Sequence, residues 1–459
     1  LFGTLAIAPD TMISPVDKNA RRLIVATFVA SWVLRLLIAW AGGCFHNFDR
    51  RDMERLALGL VDTGTISNMM VPGVPSAGEA PAYVLILAAI FKLFGRGLAG
   101  EIVKVVTCTA VSSLRNALTV WLAIRLRLPV VAVTFIAVLS VFWIGALNTE
   151  LQGDWDPPYT ACSLILLAWF TFSKPLEERS TGSAIMLGAA WAVASYFNFC
   201  ILAVLGGFLV RDFLRRWKQD FAGIMRPSIC VLLGMFLALA PWAIRNRITL
   251  GGWVLTRSML GYGLMLSYHD GAVALEPINN HPGLIMPGHP DSSLVSPYPF
   301  LNPSLRPEVA RLGELGWDHK MREKGLNWMA AHPEKTLDLM AQHAYYYWFP
   351  PGPAFYEELR GRGAWLYSAA KWILTLLAIA GWIRLRGISR PAASLIGIIA
   401  LWFPLIYYLV NWSSRYRMPM EWVLVLLAGV ALAWIYAAIF PRQVAVREAM
   451  QSGAYSGGD

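Results

Sequence analysis

Carboxylates and arginines at the edges of apolar runs are the residues of this chain best suited to chemistry. Asp49 and Asp52 stand three positions apart, one helical turn, so both can point the same way. Met53, Leu56, Ala57, Leu60 and Val61 follow at helical spacing and place the two acids at the start of a short amphipathic helix. Glu79 comes after a Pro/Gly-rich connector and just before Pro81. A further acidic stretch holds Glu150, Asp154 and Asp156 ahead of Pro157. Basic groups complete the set: Arg245, Asn246 and Arg247 after Pro241, and Arg415, Tyr416 and Arg417 before Pro419. A carboxylate can take a proton from an attacking hydroxyl. A guanidinium's planar fork can hold two phosphate oxygens at once. Together these groups suit a reaction on an anionic, lipid-linked substrate. Each also has a plainer reading: surface charges at Asp49 and Asp52, turn residues at Asp154 and Asp156, and snorkelling end-anchors at the arginines.

The elements that must position these groups are membrane helices. The chain is 56% hydrophobic with a mean hydropathy of +0.50, against about 45–50% apolar in soluble domains. Charge is bunched between apolar runs of about 20 residues, the length of a spanning helix. A membrane β-barrel is excluded, since it needs alternating segments of about 10 residues. The net charge of +10 does not mark a nucleic-acid partner, because the basic residues flank apolar runs as the positive-inside rule requires. Five cysteines, an odd number mostly within apolar runs, imply no disulfide framework. The histidines form no HExxH motif and no Cys/His cluster, so no transition-metal site is expected; His46 stands close enough to Asp49 to assist it.

The sequence predicts an all-α polytopic protein with about ten spans. They are Leu23–Gly43, Ile102–Ile124, Val130–Leu147, Tyr159–Phe172, Ala184–Phe197, Cys200–Val210, Ser228–Ile244, Leu366–Ile383, Ala392–Val410 and Trp422–Phe440. The first is read as a retained helix rather than a cleaved signal. Alternating them from a cytoplasmic N-terminus makes every short inside loop basic. Asp49, Glu79, Asp156, Arg245 and Arg415 then share the outer face. The expected organisation is a cytoplasmic tail (1–22), a catalytic membrane module (23–244) with outer loop 44–100, an extracytoplasmic segment (245–365), C-terminal membrane helices (366–440) and a second tail (441–459). Pro81, Pro307 and Pro333 each fit the first position of a helix. The segment Tyr83–Phe94 is too short to span and reads as an interfacial helix. The aromatic run Tyr345 to Phe349 suits a membrane–water boundary.

Several stretches resemble the GT-C class of integral membrane glycosyltransferases, in the branch of the protein O-mannosyltransferases and aminoarabinose–lipid A transferases. Phe48-Asp49-Arg-Arg-Asp52-Met-Glu-Arg-Leu56-Ala57 with Asp62-Thr-Gly64 resembles the first-loop signature carrying the acidic catalytic residue. Pro81-Ala-Tyr83 through Phe94-Gly95 is similar to the class's proline–tyrosine helix. Pro241-Trp-Ala-Ile-Arg245-Asn246 and Arg415-Tyr416-Arg417-Met-Pro419 look like its helix-end motifs. The chain departs from the pattern at Arg50-Arg51, at Met53 and at Glu79-Ala-Pro81-Ala.

The resemblance implies a GT-C fold and an inverting transfer of a sugar from a polyprenyl-phosphate donor to a protein, lipid or glycan acceptor. It implies an enzyme of a bacterial inner membrane with its site on the extracytoplasmic face. Asp49 is carried over as catalytic, with Asp156 as second acid. Asp52, Glu79, Tyr83, Arg245, Asn246, Tyr345, Arg415, Tyr416 and Arg417 are the expected substrate-binding residues, with Tyr83 and the run from Tyr345 to Trp348 lining the lipid groove. The resemblance fixes no cofactor, since divalent metal use varies within the class; Asp49, Glu79 and Asp156 offer hard oxygens that could hold Mg2+ or Mn2+. Two rivals remain. A lipid-linked sugar transporter would use polar residues within helices, such as Arg35, Lys104, Arg115 and Lys371. A non-catalytic assembly subunit would keep only the fold.

Overall fold

The computed structural model describes residues 18–48, 51–151, 155–218, 220–275, 298–300, 302–350 and 362–441, with side chains except at 148–151, 222 and 362–364. Asp49, Arg50, Asp154, His281 and His289 lie outside the described residues. Among those described, the regular elements are helices, joined by two isolated β-bridges. The first half runs α1 (Lys18–Ala41), α2 (Asp52–Thr63), α3 (Pro81–Phe94), α4 (Leu98–Arg125), α5 (Val130–Phe142), α6 (Ile144–Leu151), α7 (Pro157–Ser173), α8 (Thr181–Ser195) and α9 (Cys200–Arg216). The second runs α10 (Phe221–Leu250), α11 (Leu260–Ser267), α12 (Arg306–Ala331), α13 (Pro333–Trp348), α14 (Arg362–Ile388), α15 (Arg390–Trp402) and α16 (Glu421–Ile439).

Helix passes through all of the expected spans, though not always unbroken. Trp143 leaves helical geometry between α5 and α6, and the span expected to reach Val410 gives way after Trp402 to a 3-10 turn, Leu405–Tyr408. Among the described residues, six helical segments are long and apolar enough to cross a membrane. The shortfall from about ten has a simple cause: at about 1.5 Å per residue the 17-residue α7 covers roughly 26 Å, less than the hydrocarbon core of about 30 Å. The α10 helix runs on past Ile244 to Leu250. Pro81, Pro307 and Pro333 all sit in first turns, where a missing N–H costs nothing.

The chain is an integral membrane protein, and α1 shows the reason. Val25, Val29, Val33 and Leu37 recur every four residues and are exposed, while Thr27, Ser31, Arg35 and Ala39 face inward. A stripe of naked valine and leucine belongs against lipid, with polar residues turned toward neighbouring helices. Inside, Arg35 Nε donates to Ser112 Oγ at 3.2 Å and Asn116 Nδ2 to Ser31 Oγ at 2.9 Å, joining α1 to α4. Elsewhere small residues let helices touch: a Cβ at Gly188 of α8 or Gly234 of α10 would overlap the facing carbonyl of Val231 or Ile185.

Two apolar clusters matter for the site. The larger joins α4, α5, α7, α8, α9, α14, α15 and α16. The smaller packs Leu56 and Ala57 of α2 and Val84, Leu87 and Phe91 of α3 against Tyr159, Tyr262, Val309 and Trp317. Lys104 of α4 pins α2 from beneath, through an ion pair of 2.7 Å to Glu54 and another of 2.5 Å to Glu101. Asp52, at the first turn of α2, is thereby held in place.

Candidate active site

Glu79 is the centre of the site. It stands in the last turn before α3, whose start is fixed by the Ala82 N–H donating to Tyr196 O at 2.9 Å. Its side chain is buried, and two guanidinium groups approach it: Arg257 at 3.3 Å and Arg415 at 3.9 Å. Arg415 is also 3.9 Å from Asp156, the residue that immediately precedes α7. Burial pushes the Glu79 carboxyl above its ordinary value, although Arg257 and Arg415 both pull it down. Burial also works against the Arg257 charge, but Glu79 opposite it turns the net shift upward.

A cavity of about 370 Å³ opens beside this cluster. Asp52, Glu79, Arg257, Tyr262, Arg415 and Tyr416 are among its lining residues. A small recess, lined by Asp156, Asn198 and Pro419, adjoins it and shares Glu79, Arg257 and Arg415 with it. Arg55 pairs with Asp52 and lies 3.4 Å over the ring of Phe300, so one wall of the cavity has its own charge pair. Arg415 is steadied by its neighbour Tyr416, which stacks at 4.5 Å on Tyr407; Tyr407 in turn stacks at 6.0 Å on Tyr347. Asn198 Nδ2 donates to the Tyr407 hydroxyl at 3.0 Å.

The loops carrying Glu79 and Arg257 are stitched together by a buried acid from α12. Glu314 accepts from the Ala77 N–H at 2.7 Å and from Ser258 Oγ at 2.6 Å, and Ser76 Oγ also donates to it. The Ser258 N–H donates to Ala77 O at 2.9 Å. A carboxylate accepting several hydrogen bonds is stable when buried only while those donors remain. Glu314→Ala should strand them and cost about 2–3 kcal/mol. Thermal unfolding in detergent should show the loss, and an unchanged midpoint would refute the stitching role.

The structure therefore brings Asp52, Glu79, Asp156, Arg415 and Tyr416 to one place, and puts other expected residues elsewhere. Arg245 spends its guanidinium on backbone, donating to Ser76 O at 2.9 Å and Ile66 O at 3.2 Å. Asn246 is buried and donates to Val254 O at 2.9 Å. Both hold the loops that carry the site, and neither lines the cavity. Arg417 is buried and donates to Trp348 O at 2.8 Å. Tyr83 lies in the smaller core, 3.5 Å from Cys108 Sγ. Tyr345 is exposed and stacks on Phe349. Asp49 is outside the described residues. Sequence reasoning missed Arg257, Tyr262 and Tyr298. Its only available signal for Arg257 was an arginine standing apart from others, between Arg247 and Arg306, in a segment expected outside, against the charge trend.

Of the carboxylates expected to hold Mg2+ or Mn2+, Glu79 and Asp156 both face Arg415. A divalent ion at the same oxygens would stand against that positive charge. Among the described residues no group of three or more His, Cys, Asp or Glu could hold a metal ion.

No protein-family profile matches the chain, and no curated protein does. Two solved structures are similar to it along most of its length. One is the archaeal oligosaccharyltransferase AglB from Archaeoglobus fulgidus in complex with an inhibitory peptide and a dolichol-phosphate. Identity is 13% and the TM-score 0.48, over 96% of this chain and 52% of that one. The chain thus spans about half of AglB's length. The other is ArnT from Cupriavidus metallidurans bound to undecaprenyl phosphate, at 12% identity and a TM-score of 0.28, over 92% of this chain and 80% of that one. At these identities and scores the likeness assigns no residue of the site.

Proposed function

We propose that this protein is a glycosyltransferase that moves a sugar from a polyprenyl-phosphate donor to a hydroxyl or amide acceptor, with inversion at the anomeric carbon. The reading is supported chiefly by one observation: Arg257 and Arg415 converge on buried Glu79 at the wall of a cavity, and Arg415 also stands 3.9 Å from Asp156. Two guanidinium groups brought together around one carboxylate make a seat for another small anion, a phosphate. The acceptor atom bonds to the anomeric carbon as the bond from that carbon to the phosphate oxygen breaks. The electron pair leaves on the phosphate, where the two arginines stabilise it. The acceptor's proton goes to a carboxylate, for which the first-loop motif nominates Asp49. The acceptor enters past Asp52, Tyr262 and Tyr298, the part of the cavity away from the Asp156 recess. The outer membrane face and the bacterial inner membrane remain part of this proposal, resting on the basic loops expected inside.

Release of free polyprenyl phosphate from a synthetic donor, measured in membranes, tests the reading directly. A transporter would move the donor intact, and an assembly subunit would bind without turnover. Either result would refute transfer. The intramembrane lysines give the transporter little support, since Lys104 is committed to Glu54 and Glu101 and Lys371 lies 3.9 Å from Glu421.

Donor binding should depend on pH through Glu79. Its carboxylate competes with a phosphate for the same arginines. Because its pKa lies above the ordinary value, the competing charge is lost at a pH higher than for an exposed glutamate, about 4.3. Donor affinity should rise as the pH falls through the Glu79 pKa, and fall as it rises. Glu79→Gln should bind donor more tightly at neutral pH, by roughly tenfold, and lose this dependence. Equal affinities and equal pH profiles for the two proteins would show that Glu79 does not compete.

A further inference from the structure

A second groove, between α14, α15 and α16, has no part in the chemistry above. It encloses about 800 Å³, within the usual range for ligand sites. Its walls are mostly apolar, but Arg386 and Arg390 lie at one end. Both are exposed. The Arg386 guanidinium sits 5.1 Å from the centre of the Trp382 ring. Trp382 is fixed in turn, donating from Nε1 to Ala393 O at 3.2 Å and packing on Gly397. At the other end Trp348 Nε1 donates to the Tyr408 hydroxyl at 2.8 Å.

The groove's length has a meaning. On α14 its lining runs from Thr375 to Arg386, which at about 1.5 Å per residue is roughly 16 Å. That is about half of a 30 Å hydrocarbon core, the depth of one leaflet. The arginines stand where headgroups would be and the apolar walls where an acyl chain would lie. The start of α15 adds to the positive end, since Ser389 caps it, accepting from the Ala392 N–H at 3.3 Å, and the helix dipole is positive there.

We infer that this groove binds one anionic glycerophospholipid from the leaflet on the Arg386 side. Its phosphate lies between Arg386 and Arg390, and an acyl chain runs past Trp382 and Ser394 toward Tyr408. The net negative headgroup is selected because the end is dicationic, with no carboxylate among the lining residues. The site is distinct from the donor's. The turn Leu405–Tyr408 separates them, Tyr407 lining the catalytic cavity and Tyr408 the groove. The inference holds whatever reaction the cavity performs.

Native mass spectrometry of the full chain, released from nanodiscs of equal phosphatidylglycerol and phosphatidylcholine, tests it. The parent should retain one phosphatidylglycerol in preference to phosphatidylcholine. Arg386→Gln/Arg390→Gln should reduce that preference by roughly thirtyfold, from the surface value of two basic residues. Ser394→Trp, which fills the groove and keeps both arginines, should lose the bound lipid as well. Arg21→Gln/Arg22→Gln removes equal charge from the start of α1 and should change nothing. Retention by the Arg386/Arg390 variant equal to the parent's would overturn the inference. So would full retention by Ser394→Trp, which would mean charge-driven contact at the surface only. A partner protein's helix, rather than lipid, captured from a cysteine at Ser394 would overturn it too.

Discussion

Asp49→Asn should insert, fold and bind donor, yet lose sugar transfer by on the order of 10² to 10⁴. Asparagine keeps the size of the side chain and can still hydrogen-bond, but it cannot take the acceptor's proton. Only the chemical step should suffer, so donor affinity and protein level should match the parent. Asp52→Asn is the internal comparison. Asp52 lines the cavity but is already paired with Arg55, so its loss should cost less than that of Asp49. Transfer would be followed with synthetic donor at matched protein levels. Full activity in Asp49→Asn would remove it as the base and move the role to Asp156, whose Asn variant should then take the larger loss.

The second large effect belongs to Arg415. It is the one described cation close to both Glu79 and Asp156. Arg415→Ala should weaken donor binding or turnover by about 1.5–3 kcal/mol, the worth of a charge-assisted hydrogen bond. Lysine should rescue only part of this, because a point charge cannot grip two oxygens in a fixed plane. Arg257→Ala should behave alike and should further unsettle Glu79, whose nearer cation is Arg257. Donor titration on the purified variants checks both. Parent-like binding in both would leave these arginines as interface anchors.

The contrast between Arg415 and Arg245 explains how far the sequence could be read. Both stand at ends of apolar helices with an aromatic neighbour, so charge pattern assigns them the same face. Composition does not say where a guanidinium points. Arg245 turns to the carbonyls of Ile66 and Ser76, which come from a loop with no periodicity to read. Arg257 was missed for the same reason: it lies between α10 and α11, just before Met259 takes a left-handed backbone. The aromatic run fails differently. Tyr345 and Tyr347 are two residues apart, about 200° around a helix, so one faces out while the other stacks on Tyr407. Membrane helices and the proline-started helices were legible because length, apolarity and a fixed φ are local properties. The convergence of acids and arginines depends on loop paths, which are not.

Glu314 binds Ser76 across 238 positions of sequence, and Glu421 accepts from Trp143 across 278. At ribosomal rates of about 5–20 residues per second, such gaps take roughly 12–56 s to synthesise. Glu79 and Arg415 stand 336 positions apart, so for roughly 17–67 s at those rates Glu79 is already made while Arg415, the cation it shares with Asp156, is not. On the proposed reading, a nascent chain that ends before Arg415 has only half of the phosphate seat, with Arg257 alone beside Glu79. On that reading the seat is completed only when the segment just before α16 emerges.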